Sequence, residues 1–140
     1  EIPLDDEFTG TTLSEKRRNV FPKMIKKYNL KYIFGTDRVV YSATENSLAG
    51  YYFKLENKDL SWELTDPIRF NIYDRIGGGD AFASGVIHGL LKNFADPAYA
   101  VRYGLNASVL KHTIYGDALV LSCDDIETFM EANGSAEVVR

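Results

Sequence analysis

The chain has 140 residues, of which 45% are hydrophobic and 26% are charged, so it is long enough to form the core of one globular domain. Its formal net charge of -4 argues against a general nucleic-acid-binding protein, because such proteins usually present a basic surface to phosphates. No apolar run is long enough to cross a bilayer, and the single cysteine, Cys123, cannot form an internal disulfide or a zinc site, which favours a cytoplasmic protein that does not bind membranes.

The first predicted element is an amphipathic helix from Ser14 to Tyr28, with Ser14 as its N-cap. Apolar residues recur there at helical spacing among charged ones: Val20, Phe21, Met24 and Ile25. Pro22 is expected to kink or delay this helix, because proline removes a backbone donor and crowds the preceding turn.

From Lys31 the pattern changes to short runs rich in Tyr, Val, Ile and Phe, which are typical of strands and hairpins. Five strands are predicted, over "KYIF", "RVVYSA", "GYYFKL", "SWEL" and "IRFNI". The segments "GTD", "TENSLA" and "ENKD" are predicted to connect them.

Three helices are predicted after the strands, from Asp80 to about Asn93, from Pro97 to about His112, and from Asp124 to about Ala132. A helix, several strands and then more helices favour a sheet with helices packed on its faces. The sequence therefore predicts the α/β class, with part of the sheet antiparallel.

The segment "YDRIGGGDAFASG" places Gly77, Gly78 and Gly79 directly before Asp80 at the predicted start of a helix. Consecutive glycines cost backbone entropy, so this position requires either positive φ or the absence of side chains. The segment is therefore a tight turn with Asp80 as a helix cap, or an anion site made by bare N–H groups at the positive end of a helix. It matches neither the P-loop nor the G-x-G-x-x-G dinucleotide motif.

Residues 74–85, "DRIGGGDAFASG", closely resemble the C-terminal signature of the ribokinase-like (PfkB) carbohydrate kinases. Residues 107–130, "ASVLKHTIYGDALVLSCDDIETFM", are similar to the corresponding segment of the 2-keto-3-deoxygluconate kinase branch. A weaker match is "YIFGTDRVVYSATENSLAGYYF", in which a Thr-x-Arg and later Ser and Asn follow the order of that branch.

The resemblance implies the C-terminal part of a ribokinase-like fold, a mixed sheet with flanking helices, as a single portion over residues 1–140. It implies a kinase that transfers the γ-phosphoryl group of ATP to a hydroxyl of 2-keto-3-deoxygluconate. Asp80 would be the base that accepts the hydroxyl proton, and it would also contact the substrate. Gly77, Gly78 and Gly79 would form the anion hole over the transferring phosphoryl group, where preorganised N–H donors stabilise spread charge.

The same resemblance assigns further contacts. Thr36, Arg38 and Asn106 would bind ATP, although Asn106 is equally well read as a helix-surface amide. Asp117 would contact the sugar acid, with a plain Gly-Asp turn as the alternative. Arg75 replaces the threonine usual in the wider family, and lies near the phosphates or pairs with an acidic neighbour.

The implied cofactors are ATP, Mg²⁺ and a monovalent cation such as K⁺, the last bound by backbone oxygens around Asp74 and Ile76. The opening segment "EIPLDDEFTG" does not match the family's Asn-x-x-Glu magnesium motif, so it receives no metal ligands. His112, beside Lys111 at a helix end, is predicted to interact with the helix dipole, and His88 has no evident partner.

Nothing in the chain resembles the N-terminal substrate and lid portion of the family, and the chain begins at Glu1. We therefore expect a fragment with little or no kinase activity of its own, whose exposed strand edges favour homo-oligomers. The alternatives are another ribokinase-like kinase, such as a fructokinase or ribokinase, and a noncatalytic nucleotide-binding or oligomerisation module.

Overall fold

The computed structural model describes residues 12–56 and 59–135. In chain order its elements are α1 (Leu13–Tyr28), β1 (Tyr32–Val40), β2 (Glu45–Glu56), β3 (Asp59–Leu64), β4 (Ile68–Asn71), α2 (Gly78–Lys92), α3 (Pro97–His112) and α4 (Cys123–Ser135). The predicted α/β class, with an antiparallel sheet and flanking helices, is confirmed. Within these residues no helix is long and apolar enough to span a membrane.

Two compact units make up this part of the chain, one from residues 12–33 and 52–63 and the other from residues 34–51 and 64–135. In the first unit, Thr12 caps α1 by accepting a hydrogen bond from the Glu15 N–H, while the Glu15 carboxylate accepts one from the Thr12 N–H. This reciprocal capping box makes Thr12 the N-cap, so the prediction of Ser14 was wrong. Pro22 lies inside α1 without delaying its start.

The same unit has an aromatic core. The Phe53 ring on β2 lies edge-on to Phe21 of α1, with 4.9 Å between ring centroids, and stacks on Trp62 of β3 at 5.9 Å. The Arg18 guanidinium lies 4.2 Å above the Trp62 ring. These contacts attach α1 to the β2–β3 hairpin.

Strand β2 is the central strand of the sheet, which has the order β1-β2-β3 and pairs β4 with β2 as well. The β2–β4 pairing is antiparallel, with register from Glu45↔Asn71 to Leu48↔Ile68. The connections over residues 41–44 and 57–58 are too short for a parallel crossover, so the neighbouring strands also run antiparallel.

Four strands replace the five that were predicted. The segment "GTD", predicted to be a connection, lies inside β1. Its Gly35 accommodates a neighbouring side chain, because a Cβ there would lie 2.2 Å from the Tyr51 hydroxyl oxygen. Most of "TENSLA" lies inside β2, whose residues from Asn46 to Gly50 are buried. Residues 57 and 58 of "ENKD" are outside the described residues.

Helix α3 is the centre of the second unit. Its Leu105 and Val109 pack with Leu48 of β2 and Phe70 of β4. On another side, its Tyr103 and Ala107 pack with Ile126 of α4. The helix begins as predicted, with Pro97 in its first turn and the Asp96 carboxylate accepting from the Tyr99 N–H.

Helices α2 and α3 pack through glycines. A Cβ on Gly85 would lie 2.7 Å from the Gly104 Cα, and one on Gly89 would lie 2.6 Å from the Ala100 Cα. Any side chain at these positions would meet backbone, so the two helices approach each other more closely than side chains permit. The N-terminus of α2 is therefore fixed in position relative to α3.

Gly85→Ala is expected to lower the free energy of unfolding by about 1–3 kcal/mol, the usual cost of overpacking a close contact. The change is measured by urea unfolding followed by circular dichroism. Gly79→Ala is the matched control in the same helix, because its Cβ meets nothing within 4 Å. It is expected to be neutral or stabilising, since alanine favours helix. Equal losses in both variants would contradict this packing.

Candidate functional site

The turn into α2 depends on Gly77, which is the N-cap and has a left-handed backbone with φ of 80°. A Cβ at this position would lie 2.0 Å from the carbonyl oxygen of Asp117. Positive φ and the close carbonyl both exclude a side chain. Gly77 therefore brings the 116–117 loop directly against the start of α2.

The first turn of α2 presents unpaired backbone donors. The Ala81 N–H donates to the Gly77 carbonyl at 2.9 Å, so the N–H groups of Gly78, Gly79 and Asp80 precede the helical bonding pattern. No side chain caps this terminus. A Cβ on Gly79 would meet nothing within 4 Å, which leaves open space beside these donors. Bare N–H groups at the positive end of a helix dipole are suited to an anion.

Asp80 lies in this first turn with its side chain exposed. The N-cap position is held by Gly77 and not by Asp80, so the carboxylate lies in the first turn, where the helix dipole favours negative charge. Within the described ranges it has no ion pair and no side-chain hydrogen bond. The carboxylate is therefore available to accept a proton from a bound hydroxyl.

His112, in the last turn of α3, is fully buried instead of forming an exposed contact with the helix dipole. Its Nδ1 lies 2.7 Å from the Ser108 carbonyl oxygen, and its Nε2 lies 2.9 Å from an Arg38 guanidinium nitrogen. Its position in the last turn is as predicted, while burial and the nearby cations lower its pKa and so weaken the predicted interaction with the helix dipole. The ring also packs under the glycines, since a Cβ on Gly78 would lie 2.3 Å from its Cε1.

Two arginines lie near His112. Arg38 donates toward the His112 Nε2, and Arg75 donates to the Ala43 carbonyl at 2.9 Å. Burial, and then the charge of Arg75, lower the pKa of Arg38. Neither arginine forms a salt bridge within residues 12–56 and 59–135, so the alternative of an acidic partner for Arg75 is not supported there. A bound anion would relieve their repulsion.

Asp74 ties the loops of the site together. Its carboxylate oxygens accept from the Ile76 N–H and the Gly116 N–H, each at 3.0 Å. These two hydrogen bonds lower the pKa of Asp74. Gly116 has a left-handed backbone with φ of 92°, as expected for the Gly-Asp turn, and Asp117 is exposed at its end.

The remaining predicted ATP contacts lie on β1 and α3. Thr36 is two residues before Arg38, so both side chains are on one face of β1. Asn106 is buried, not on the helix surface: it donates to the Arg102 carbonyl at 2.8 Å and accepts from Asn133 at 2.9 Å. It lines a separate cleft of about 480 Å³, together with Thr65, Asp66, Pro67, Ile68, Arg69, Arg102, Leu105, Met130 and Asn133.

Sequence reasoning did not predict the burial of several polar residues. Ser108 donates from its hydroxyl to the Gly78 carbonyl at 2.9 Å, and Lys111 donates to the Ile114 carbonyl at 3.0 Å. Asn46 is fully buried on β2, and neither amide atom has a hydrogen-bond partner among the described residues. The only available signal was their position in segments that resemble the kinase branch. His88, in contrast, stacks on Tyr103, with 4.5 Å between ring centroids.

Metal binding has little support in the side chains. No group of three or more His, Cys, Asp and Glu that could hold a metal occurs in the part of the chain that the structure describes. Residues 1–10, where a magnesium motif was sought, are outside it. Carbonyl oxygens of Asp74 and Ile76 remain a prediction for a monovalent cation.

No protein-family model and no curated protein matches the chain, but solved structures do. A 2-dehydro-3-deoxygluconokinase from Thermotoga maritima is 32% identical over 88% of this chain, with a TM-score of 0.75. A proposed 2-keto-3-deoxygluconate kinase from Enterococcus faecalis is 26% identical over 89% of this chain, with a TM-score of 0.72. A PfkB-family carbohydrate kinase from Listeria grayi is 26% identical over 88%, with a TM-score of 0.71.

This chain spans only 36%, 34% and 36% of the lengths of those three structures. It is therefore similar to a portion of each kinase and not to a whole one. The predicted resemblance to the ribokinase-like carbohydrate kinases, including the 2-keto-3-deoxygluconate branch, is confirmed at the level of the fold.

Asp74→Asn is expected to lower the free energy of unfolding at pH 7, because a neutral amide is a weaker acceptor for the Ile76 and Gly116 N–H groups. The depressed pKa of Asp74 means that its stabilisation is present above the unfolded pKa of about 3.9 and is lost as pH falls through the folded pKa. Urea unfolding at pH 7 and in acid should show the difference from wild type shrinking in acid. Asp59→Asn, at an exposed carboxylate, is the control; a difference that grows in acid would contradict the assignment.

Proposed function

Because the chain has the fold of part of the PfkB carbohydrate kinases, we propose that it is the nucleotide-binding and catalytic-base portion of a sugar-acid kinase. The reaction is transfer of the γ-phosphoryl group of ATP to a hydroxyl of 2-keto-3-deoxygluconate. The observation that carries the proposal is the α2 N-terminus, where Gly77 to Gly79 leave backbone N–H groups open and the Asp80 carboxylate is exposed in the same turn.

The uncapped donors of Gly78, Gly79 and Asp80 suit the demands of phosphoryl transfer. Its transition state is loose, with negative charge spread over the phosphoryl oxygens, so most of the catalytic effect comes from preorganised positive groups. Backbone N–H groups held by the α2–α3 packing need no reorganisation when the charge develops. Arg38 and Arg75 add two cations, and a bound phosphate would offset their mutual repulsion.

Asp80 would accept the proton of the attacking hydroxyl. In a loose transition state the nucleophile loses its proton late, so an ordinary carboxylate is a sufficient base. Asp80 lies in the same turn as the N–H donors, so it would be beside a phosphoryl group bound there. Asp117, whose loop lies against Gly77, would contact the sugar acid from the other side of the turn.

The adenosine end of ATP would occupy the cleft that Asn106 lines, with Thr36 and Arg38 on the nucleotide side. Apolar walls from Ile68, Leu105 and Met130 and polar groups at the rim suit a nucleobase and ribose. Mg²⁺ is implied for the ATP phosphates, but the described side chains offer it no cluster of ligands, so it is assigned no step.

Isolated, the chain would have little or no transfer activity. The matched part covers only 34% to 36% of the structures that it resembles, and closure over the sugar, which aligns the reactants and excludes water, would come from elsewhere. A fructokinase-like or ribokinase-like substrate is compatible with the same α2 terminus, since a glycine turn binds phosphate and not sugar.

Gly79→Val is expected to abolish ATP binding to this chain while leaving its fold intact, because the side chain at 79 would enter the open space beside the N–H donors. Isothermal calorimetry with Mg²⁺ and K⁺ present measures the affinity. Ala83→Val, an exposed position one turn further along α2, is the control for the cost of a β-branched residue in a helix. Equal ATP affinity in wild type and Gly79→Val would refute the anion hole.

Asp80→Asn, made in the complete gene product, is expected to lower kcat by orders of magnitude while ATP affinity changes little. The amide cannot accept the proton, yet the N–H donors are unchanged. The assay is phosphorylation of 2-keto-3-deoxygluconate, with fructose and ribose as competing acceptors. Asp124→Asn, an exposed carboxylate in the first turn of α4, is the matched control and should retain activity. Full activity in Asp80→Asn would show that Asp80 is not the base, whereas a wild type that binds ATP but phosphorylates none of the acceptors would indicate a noncatalytic nucleotide-binding module.

A further inference from the structure

We propose that His112 is a positioning residue, whose neutral imidazole holds the Arg38 guanidinium beside the anion-binding end of α2. The inference rests on the proposed function only for the identity of the anion. The contacts that support it run from the Ser108 carbonyl through the His112 ring to the Arg38 guanidinium.

The hydrogen bonds determine the tautomer of the ring. A backbone carbonyl can only accept, so the 2.7 Å contact with Ser108 places the proton on Nδ1. A guanidinium can only donate, so at 2.9 Å the Nε2 of His112 must accept from Arg38. If Nε2 also carried a proton, two donor groups would face each other across the contact between His112 and Arg38. The geometry therefore requires a neutral imidazole.

The charged groups around the ring act in the same direction. Arg38 faces it from β1, Arg75 lies in the segment after β4, and Lys111 precedes it on α3. Asp74 meets it through the backbone, donating its N–H to the His112 carbonyl. Burial first, and then the charges of Arg38, Lys111 and Arg75, lower the pKa of His112 against the opposing effect of the Ser108 hydrogen bond. The ring thus stays neutral at a pH at which an exposed histidine begins to protonate.

The same contacts connect the ring to the anion hole. Its Cε1 occupies the space beside Gly78, and Ser108, which orients the ring, also donates to the Gly78 carbonyl. One residue thus sets both the first turn of α2 and the direction of the imidazole. The His112 ring therefore lies between Arg38 and Gly78. Because Arg38 is already held by this ring, it would lose less conformational freedom on binding phosphate.

The test compares three variants of the complete chain. His112→Phe keeps an aromatic ring against Gly78 but removes the acceptor, His112→Gln keeps an acceptor for Arg38, and Arg38→Ala removes the guanidinium. ATP affinity by calorimetry is expected to fall about tenfold in His112→Phe, the scale of a charged hydrogen bond, and much less in His112→Gln. The double variant His112→Phe/Arg38→Ala should bind no more weakly than Arg38→Ala. Losses that add, or a Gln variant as weak as Phe, would overturn the proposal.

A second readout is independent of ATP. Imidazole ¹⁵N spectra of the wild type at pH 7 should show a proton on Nδ1 and none on Nε2, and ¹⁵N relaxation of the Arg38 side chain should report order that His112→Phe removes. A protonated Nε2, or an Arg38 equally mobile in wild type and variant, would overturn the inference. If ATP does not bind but these spectra are as expected, the proposed function fails and the positioning of Arg38 by His112 stands.

Discussion

The approach of α2 to α3 without intervening side chains is the constraint on which the candidate site depends. Gly85 and Gly89 of one helix meet the backbone at Gly104 and Ala100 of the other. Because backbone cannot rotate aside, this contact sets the position of the α2 terminus more firmly than flexible side chains would. The open N–H groups, the exposed carboxylate and the buried ring of His112 all take their relative positions from it.

Electrostatic repulsion is the second feature of the site. The charges of Arg38, Lys111 and Arg75 all act on the buried His112 and lower its pKa. None of the three forms a salt bridge within residues 12–56 and 59–135. Like charges held near one another destabilise a compact fold, and a bound anion would offset that cost.

Local signals predicted the parts of this fold that are locally determined. Pro97 predicted the start of α3, and the glycines before Asp80 predicted the tight turn into α2. The errors have a tertiary origin: Gly35 resembles a turn residue but accommodates Tyr51, and Asn46 resembles a loop residue but is buried in β2. The glycine turn and Asp80 at the helix start were predicted from the residues themselves, and the resemblance added their roles and Arg38. The burial of His112 depends on contacts with β1 and α2 that no local pattern encodes.

Helix α3 sets the distance between the cleft and the glycine turn in the second unit. It carries Asn106, which lines the cleft, and six residues later His112, which lies behind the glycine turn. At 1.5 Å per residue the two positions are about 9 Å apart along the axis, and they leave the helix in different directions. Because the helix is rigid between them, the cleft and the turn cannot move independently. The same rigidity limits sequence change. Adding or deleting one residue between Asn106 and His112 would rotate one site by about 100° relative to the other, so the length of this segment is less free to vary than its composition.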